Sequence, residues 1–319
     1  MKKRDYLERI LNARVYDVAV ETPLEVAPNL TRRLGNTVLL KREDVQPVFS
    51  FKLRGAYNKM AQLSADKLDR GVITASAGNH AQGVALAAQR LGCKATIVMP
   101  VTTPQIKVDA VRARGATVVL HGDSYSDAYE EARKLEQSEG LTFVHPYDDP
   151  DVIAGQGTIA LEILRQRSGP IHAIFVPIGG GGLIGGIAAW YRGRTKVVGV
   201  EPETSRALQA ALEAGAPTSV SVSGIATDSL GASRAGDLMF PIAQAFVDRV
   251  TLVNDRAIRD AQRWLWEHIR IVAEPGGATA LAALLSGAYQ PAPRERIGVV
   301  LCGANTEPET FAKVIANAL

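Results

Sequence analysis

An α/β fold, with mostly parallel sheets covered by helices on both faces, is the reading that this chain of 319 residues supports. Three observations carry it. Short β-branched runs alternate with helical segments along most of the sequence. Hydrophobic residues make up 46% and charged residues 22%, an ordinary globular balance that excludes disorder, collagen and coiled coil. Four consecutive glycines follow one β run directly and open a helical one. At roughly 150 residues per domain, the length suggests two domains, or one large domain with an insertion.

The N-terminal stretch Met1–Val18 starts with a basic cluster but carries Asp5, Glu8 and Asp17 and has no apolar core, so it is not a signal peptide. Its apolar residues Tyr6, Leu7, Ile10, Leu11 and Val15 recur at helical spacing. Strands are expected over 72–74, 95–98, 117–120, 142–144, 173–176, 197–200 and 297–301. A helix is expected over 79–91, with Ala81, Val84, Ala85, Ala88 and Leu91 on one face, and another with Asp123 as its N-cap. Residues 171–191 hold no Asp, Glu, Lys or Arg and are long enough to span a bilayer. Pro177 and six glycines in that stretch favour strand, turn and helix, and a soluble chain. Residues 214–236 lack a period and read as a functional or interfacial loop, and 287–296 as a surface connection.

With 36 Lys+Arg against 33 Asp+Glu, the net charge of +3 is too small to indicate a nucleic-acid partner. Only Cys93 and Cys302 occur, with no CxxC, so neither a disulfide framework nor a cysteine zinc site is expected; a reducing cytoplasm fits.

In parallel sheets, ligands gather beyond the carboxyl ends of strands. Four post-strand or helix-entry segments therefore matter. Gly179-Gly180-Gly181-Gly182-Leu183 opens a helix and can wrap its N–H groups around a phosphate. A rival pattern overlaps it: Gly180, Gly182 and Gly185 match GxGxxG, with Glu201 closing the next strand, as in an NAD-dependent oxidoreductase. Lys52, between Phe51 and Leu53 at a helix entrance, can be held neutral and nucleophilic by burial and the helix dipole. Ser76-Ala77-Gly78-Asn79-His80 offers N–H groups for a carboxylate and an amide for a phenolic oxygen. Cys302, after the last strong β run, offers a weak thiol donor.

Together these segments resemble the serine/threonine dehydratase (threonine deaminase) family of fold-type II pyridoxal-phosphate enzymes, whose fold is tryptophan synthase beta-like. The likeness extends to 145–158 (HPYDDPDVIAGQGT), Glu274-Pro275-Gly276-Gly277 and Cys302–Asn305, and so covers nearly the whole chain. It implies pyridoxal 5'-phosphate bound through an imine to Lys52, which later shuttles the proton. It also implies Phe51 packed on the cofactor ring, Asn79 on its 3'-oxygen, Gly179–Leu183 around its phosphate and Cys302 facing its ring nitrogen. Ser76–His80 would clamp the substrate carboxylate, mainly by backbone N–H groups and the Ser76 hydroxyl. One cofactor then uses all four segments, which the dinucleotide reading does not.

The implied reaction is loss of the Cα proton and β-hydroxyl from L-threonine or L-serine, ending in 2-oxobutanoate or pyruvate and ammonia. A 3-hydroxyaspartate dehydratase, a β-replacement synthase, an amino-acid racemase or a non-enzymatic sensor are the remaining readings. Racemases of the family carry a serine where Ala77 stands, which favours dehydration here. Ala207 replaces the second acid of the family's cation site beside Glu201, so no metal is expected. Residues 224–229 depart from the family's Ala-Asp-Gly-Val, leaving fine substrate choice open. The resemblance further implies a cofactor-binding domain of residues 1–52 and 150–319, and an inserted substrate-clamping domain of 53–149. Also expected are a cytoplasmic homodimer or homotetramer, no membrane partner, and no C-terminal regulatory domain, hence no isoleucine inhibition through one.

Overall fold

The computed structural model describes residues 5–316. Its strands are β1 (Leu24–Val26), β2 (Thr37–Arg42), β3 (Val72–Ala75), β4 (Ala95–Met99), β5 (Thr117–Leu120), β6 (Thr142–Phe143), β7 (Ala173–Pro177), β8 (Lys196–Pro202), β9 (Arg249–Val253) and β10 (Arg296–Leu301). They form a six-stranded sheet, β1-β2-β10-β7-β8-β9, and a four-stranded sheet, β5-β4-β3-β6. All pairings are parallel except β1 with β2. Gly298 lies opposite both Leu39 and Ile174, and Thr96 opposite both Ile73 and Thr117.

Each of the seven expected runs becomes a strand, with ends displaced by no more than two residues. Three strands escape the sequence reading. β2 runs its apolar stretch into Lys41 and Arg42, β9 mixes Arg249 and Thr251 with apolar residues, and β1 is a three-residue edge. The six-stranded sheet is apolar on both faces because its residues alternate between two cores. Leu39, Ile174, Val176 and Val300 enter one; Val38, Leu40, Phe175, Val299 and Leu301 enter the other.

The N-terminal helix is shorter than its spacing suggests. It ends at Leu11, and Val15 belongs to the core of the four-stranded sheet, whereas Tyr6 and Ile10 pack beneath the six-stranded one. The helix Tyr125–Glu139 is capped by Ser124, not Asp123. Ser124 Oγ accepts from Asp127 N while the Asp127 carboxylate accepts from Ser124 N, a reciprocal capping box. Residues 171–191 divide into β7, the glycine turn and the helix Gly182–Tyr191; no helix among the described residues is long and apolar enough to cross a membrane. The irregular stretch 214–236 holds a single helical turn, Thr227–Leu230, and a bridge between Ser219 and Arg234.

The helix Pro150–Gln166 ties the two sheets together. A Cβ at Gly155 would lie 2.6 Å from Arg54 O, and one at Gly186 would lie 2.4 Å from Ile153 O. Glycine at these crossings lets its backbone touch both the helix Lys52–Met60 and the helix Gly182–Tyr191. The lysine and the glycine turn are thereby set against one rigid rod.

Candidate active site

Strand order locates the site. In the six-stranded sheet the chain moves from β7 outward to β8 and β9, then returns on the far side of β7 as β10. In the four-stranded sheet it moves from β3 to β4 and β5, then returns on the far side of β3 as β6. Crevices form where strand order reverses, beyond the carboxyl ends. Past these four ends stand Gly179–Gly182, Cys302, Ser76–His80 and Pro146–Tyr147. A cleft of about 450 Å³ is lined by Lys52, Ser76–His80, Pro146, Tyr147, Gly179 and Gly180. A smaller cavity behind it is lined by Phe51, Lys52, Gly179–Leu183, Gln156 and Cys302. The sequence-predicted residues therefore converge on one place. An open trough along the helix Asp255–Ile269 has similar volume but carries none of them.

Lys52 is the first residue of its helix, and its Nζ donates to Pro146 O at 2.9 Å, 5.4 Å from the Phe51 ring centroid. Burial pushes its pKa down to about 8, while Cys302 and Glu274 pull the other way. The amine thus has a substantial neutral fraction near physiological pH.

The glycine turn is glycine for steric reasons. Gly181 sits at φ 95° as the N-cap of the following helix, and a Cβ there would meet Met239. A Cβ on Gly180 would stand 2.4 Å from the Tyr147 ring, and one on Gly182 2.9 Å from Tyr147 O. What remains is bare backbone at a helix N-terminus, with amides that lack intrahelical partners. Cys302 is buried, its Sγ 3.5 Å from Gly276 O, and burial raises its pKa well above the usual thiol value. A neutral thiol faces this cavity.

Ser76 Oγ accepts from Gly78 N and Ala81 N, both at 3.3 Å, so its hydroxyl proton stays available. Asn79 does not cap its helix; Gly78 is the N-cap. The Asn79 carboxamide instead donates to Glu274 Oε1 at 2.6 Å and accepts from Asn305 Nδ2 at 2.5 Å. His80 Nε2 lies 2.9 Å from Val144 O, which can only accept, so Nε2 carries the proton. Burial, with Lys52 nearby, lowers the His80 pKa to about 3. The ring brings no positive charge to an anion; what position 80 can offer one is its neutral backbone N–H.

Sequence reasoning gave no role to Pro146, Tyr147 or Glu274, and it marked the 214–236 loop as functional or interfacial without placing it. Pro146 and Tyr147 lie in the quoted stretch 145–158 but reveal a role only through contacts with Lys52 and the glycine turn. Glu274 lies in the quoted Glu-Pro-Gly-Gly, and its partner is 195 residues away. The loop 227–233 supplies a wall of the cleft. Glu201, by contrast, leaves the site. Its buried carboxylate accepts from Leu208 N and Gln209 N at 2.7 and 2.9 Å, at the start of the helix Ala207–Ala214. Gly185 packs on Met239. The GxGxxG pattern therefore has no acid free to meet a ribose.

The pyridoxal-phosphate dependent enzyme family matches residues 15–303. The chain is 55% identical over 312 residues to the biosynthetic L-threonine dehydratase of Burkholderia multivorans, covering 96% of this chain and 62% of that protein. It is 53% identical over 281 residues to the chloroplastic biosynthetic threonine dehydratase of Arabidopsis thaliana, covering 87% and 48%. The chain thus spans about half to under two thirds of the length of these curated relatives. Its fold matches the processed form of threonine deaminase isoform 2 from Solanum lycopersicum with a TM-score of 0.94, at 46% identity, covering 99% of this chain and 93% of that one. It matches maize serine racemase with a TM-score of 0.89, at 31% identity, covering 99% and 96%. A partly neutral buried amine, a cradle of side-chain-free amides and a protonated thiol in one cavity suit an aldehyde, a phosphate and a pyridine nitrogen. By sequence and by fold, the chain belongs to the family of pyridoxal-phosphate dependent enzymes.

Proposed function

We propose that this protein is a lyase that converts L-threonine to 2-oxobutanoate and ammonia, L-serine to pyruvate and ammonia, or both. The observation that carries the reading is the meeting of Lys52 Nζ, the glycine cradle and the Ser76–His80 loop in one cleft. Relatives named threonine dehydratase and threonine deaminase support it.

When bound, pyridoxal phosphate supplies an aldehyde that takes up amines and a conjugated ring that accepts the electron pair left at Cα. The backbone of Gly179–Leu183 would hold its phosphate, Asn79 its phenolic oxygen, Phe51 its ring face and Cys302 its ring nitrogen. The amides of Ser76–His80 and the Ser76 hydroxyl orient the substrate carboxylate. Lys52 Nζ, once neutral, takes the proton from Cα. Ala77 offers no group that could return a proton to the opposite face of Cα, which favours elimination over racemisation.

The unit of residues 53–149 is the one that clamps substrate, and 1–52 with 150–319 the one that holds the cofactor; the division of strands between the two sheets supports this. Two free cysteines, 93 and 302, agree with a cytoplasmic setting. A homodimer or homotetramer is the assembly we assign. The test is purified protein with added cofactor, assayed for 2-oxo acid from each amino acid and for D-amino acid by chiral chromatography. Absence of 2-oxo acid from both substrates would overturn the proposal.

A further inference from the structure

Glu274 is a buried carboxylate that the reaction does not use. It is the N-cap residue of the helix Pro275–Leu285, yet its side chain caps nothing. It reaches across to Asn79 Nδ2 at 2.6 Å, while its own N–H donates to Gly303 O. Lys107, Asp228 and Lys52 also act on it electrostatically. Its surroundings leave no freedom in how the Asn79 amide is turned. Asn305 Nδ2 donates to Val48 O at 2.9 Å, and a carbonyl only accepts, so the Asn305 group near Asn79 is its NH₂. The atom that Asn79 presents to it must then be Oδ1. An ionised Glu274, which can only accept, requires Nδ2 on its own side as well. Both constraints agree, and together they turn Oδ1 toward Asn305 and one of the two Nδ2 protons toward Glu274.

We propose that Glu274 is a positioning residue that locks the Asn79 carboxamide, leaving a single N–H for the cleft. Position 79 then presents a donor to the cleft, which favours an oxygen acceptor on the ring bound there. The inference rests on the reading of the cleft as a pyridoxal-phosphate site.

The experiment compares holoenzymes of wild type, Glu274→Ala and Glu274→Gln by absorption spectrum against pH, kcat and KM, and borohydride trapping at Lys52. The Ala variant is expected to keep the trapped cofactor, shift the visible band and its pH midpoint, and lose on the order of tenfold in kcat/KM. Glu274→Gln, whose Oε1 can accept the same N–H, is expected to restore the band. Asn305→Asp sets an acceptor against Asn79 Oδ1 and is expected to shift the band too. It decides the matter should the Ala variant fail to fold. A trapped cofactor with band, midpoint and kcat/KM all as in wild type in Glu274→Ala, or in Asn305→Asp, overturns the positioning role alone. A wild type without a pyridoxyl group on Lys52 overturns the reading of the site beneath it.

Discussion

At the scale of single residues, the site works by holding groups neutral. Burial pushes Lys52 down to about 8, so part of its amine is neutral near physiological pH, and it keeps Cys302 protonated and uncharged. Only neutral amine is nucleophilic. The rate at which cofactor-free protein captures pyridoxal phosphate should rise about tenfold per pH unit below 8 and level off above it, followed by borohydride trapping. A flat profile between pH 6 and 8 would contradict this. Replacing the amine, Lys52→Ala, should lower turnover of L-threonine by about 10²–10⁴-fold with the fold intact by circular dichroism. The places of Lys52 and Asn79 at helix entrances could be read from the sequence, because each follows a break in the apolar pattern and opens a helical period. The His80 ring could not, since only the backbone at Val144 shows that it is anchored elsewhere.

At the scale of elements, turns and loops are set by contacts between segments distant in sequence. Gly181 takes a left-handed conformation against Met239, so Gly181→Ala should destabilise by about 1–2 kcal/mol and speed loss of cofactor on dialysis. The loop after Thr227–Leu230 is fastened by Asp148, whose carboxylate accepts from Asp237 N and Leu238 N at 3.0 and 2.9 Å. Gly236 N donates to Gly180 O, and Tyr147 Oη donates to Arg234 O. Asp148→Ala should therefore raise KM on the order of tenfold while cofactor content stays near wild type. An unchanged KM would show that the clasp does not hold the substrate wall. The sequence marks 214–236 as aperiodic, but what the loop grips is not written in any local pattern.

At the scale of the molecule, a fully buried network joins the lysine helix to both its neighbours. Arg54 donates to Glu43 and Glu162, Lys41 Nζ donates to Glu162 Oε2 at 2.6 Å, and Thr22 Oγ1 donates to Glu43 Oε1 at 2.6 Å. Two cations balance two anions, so removing one leaves a charge stranded. Arg54→Met should lower stability by about 3–5 kcal/mol in urea unfolding. Burial works against the Glu43 charge, but Arg54 outweighs it and holds its pKa below the usual carboxylate range. That contribution is present above the unfolded pKa and lost as pH falls through the depressed one, so the gap between wild type and variant should narrow in acid. By itself the sequence determined the alternation of strands and helices, the residues that follow the strong strands, and the family likeness, because period, glycine placement and motif are local properties. Only the tertiary structure decided that strand order reverses beside β3 and β7, that Tyr147 and the 227–233 loop line one cleft, and that Glu274 stands behind Asn79 at its edge. Those contacts join segments far apart along the chain, and their energy depends on distances that no local pattern encodes.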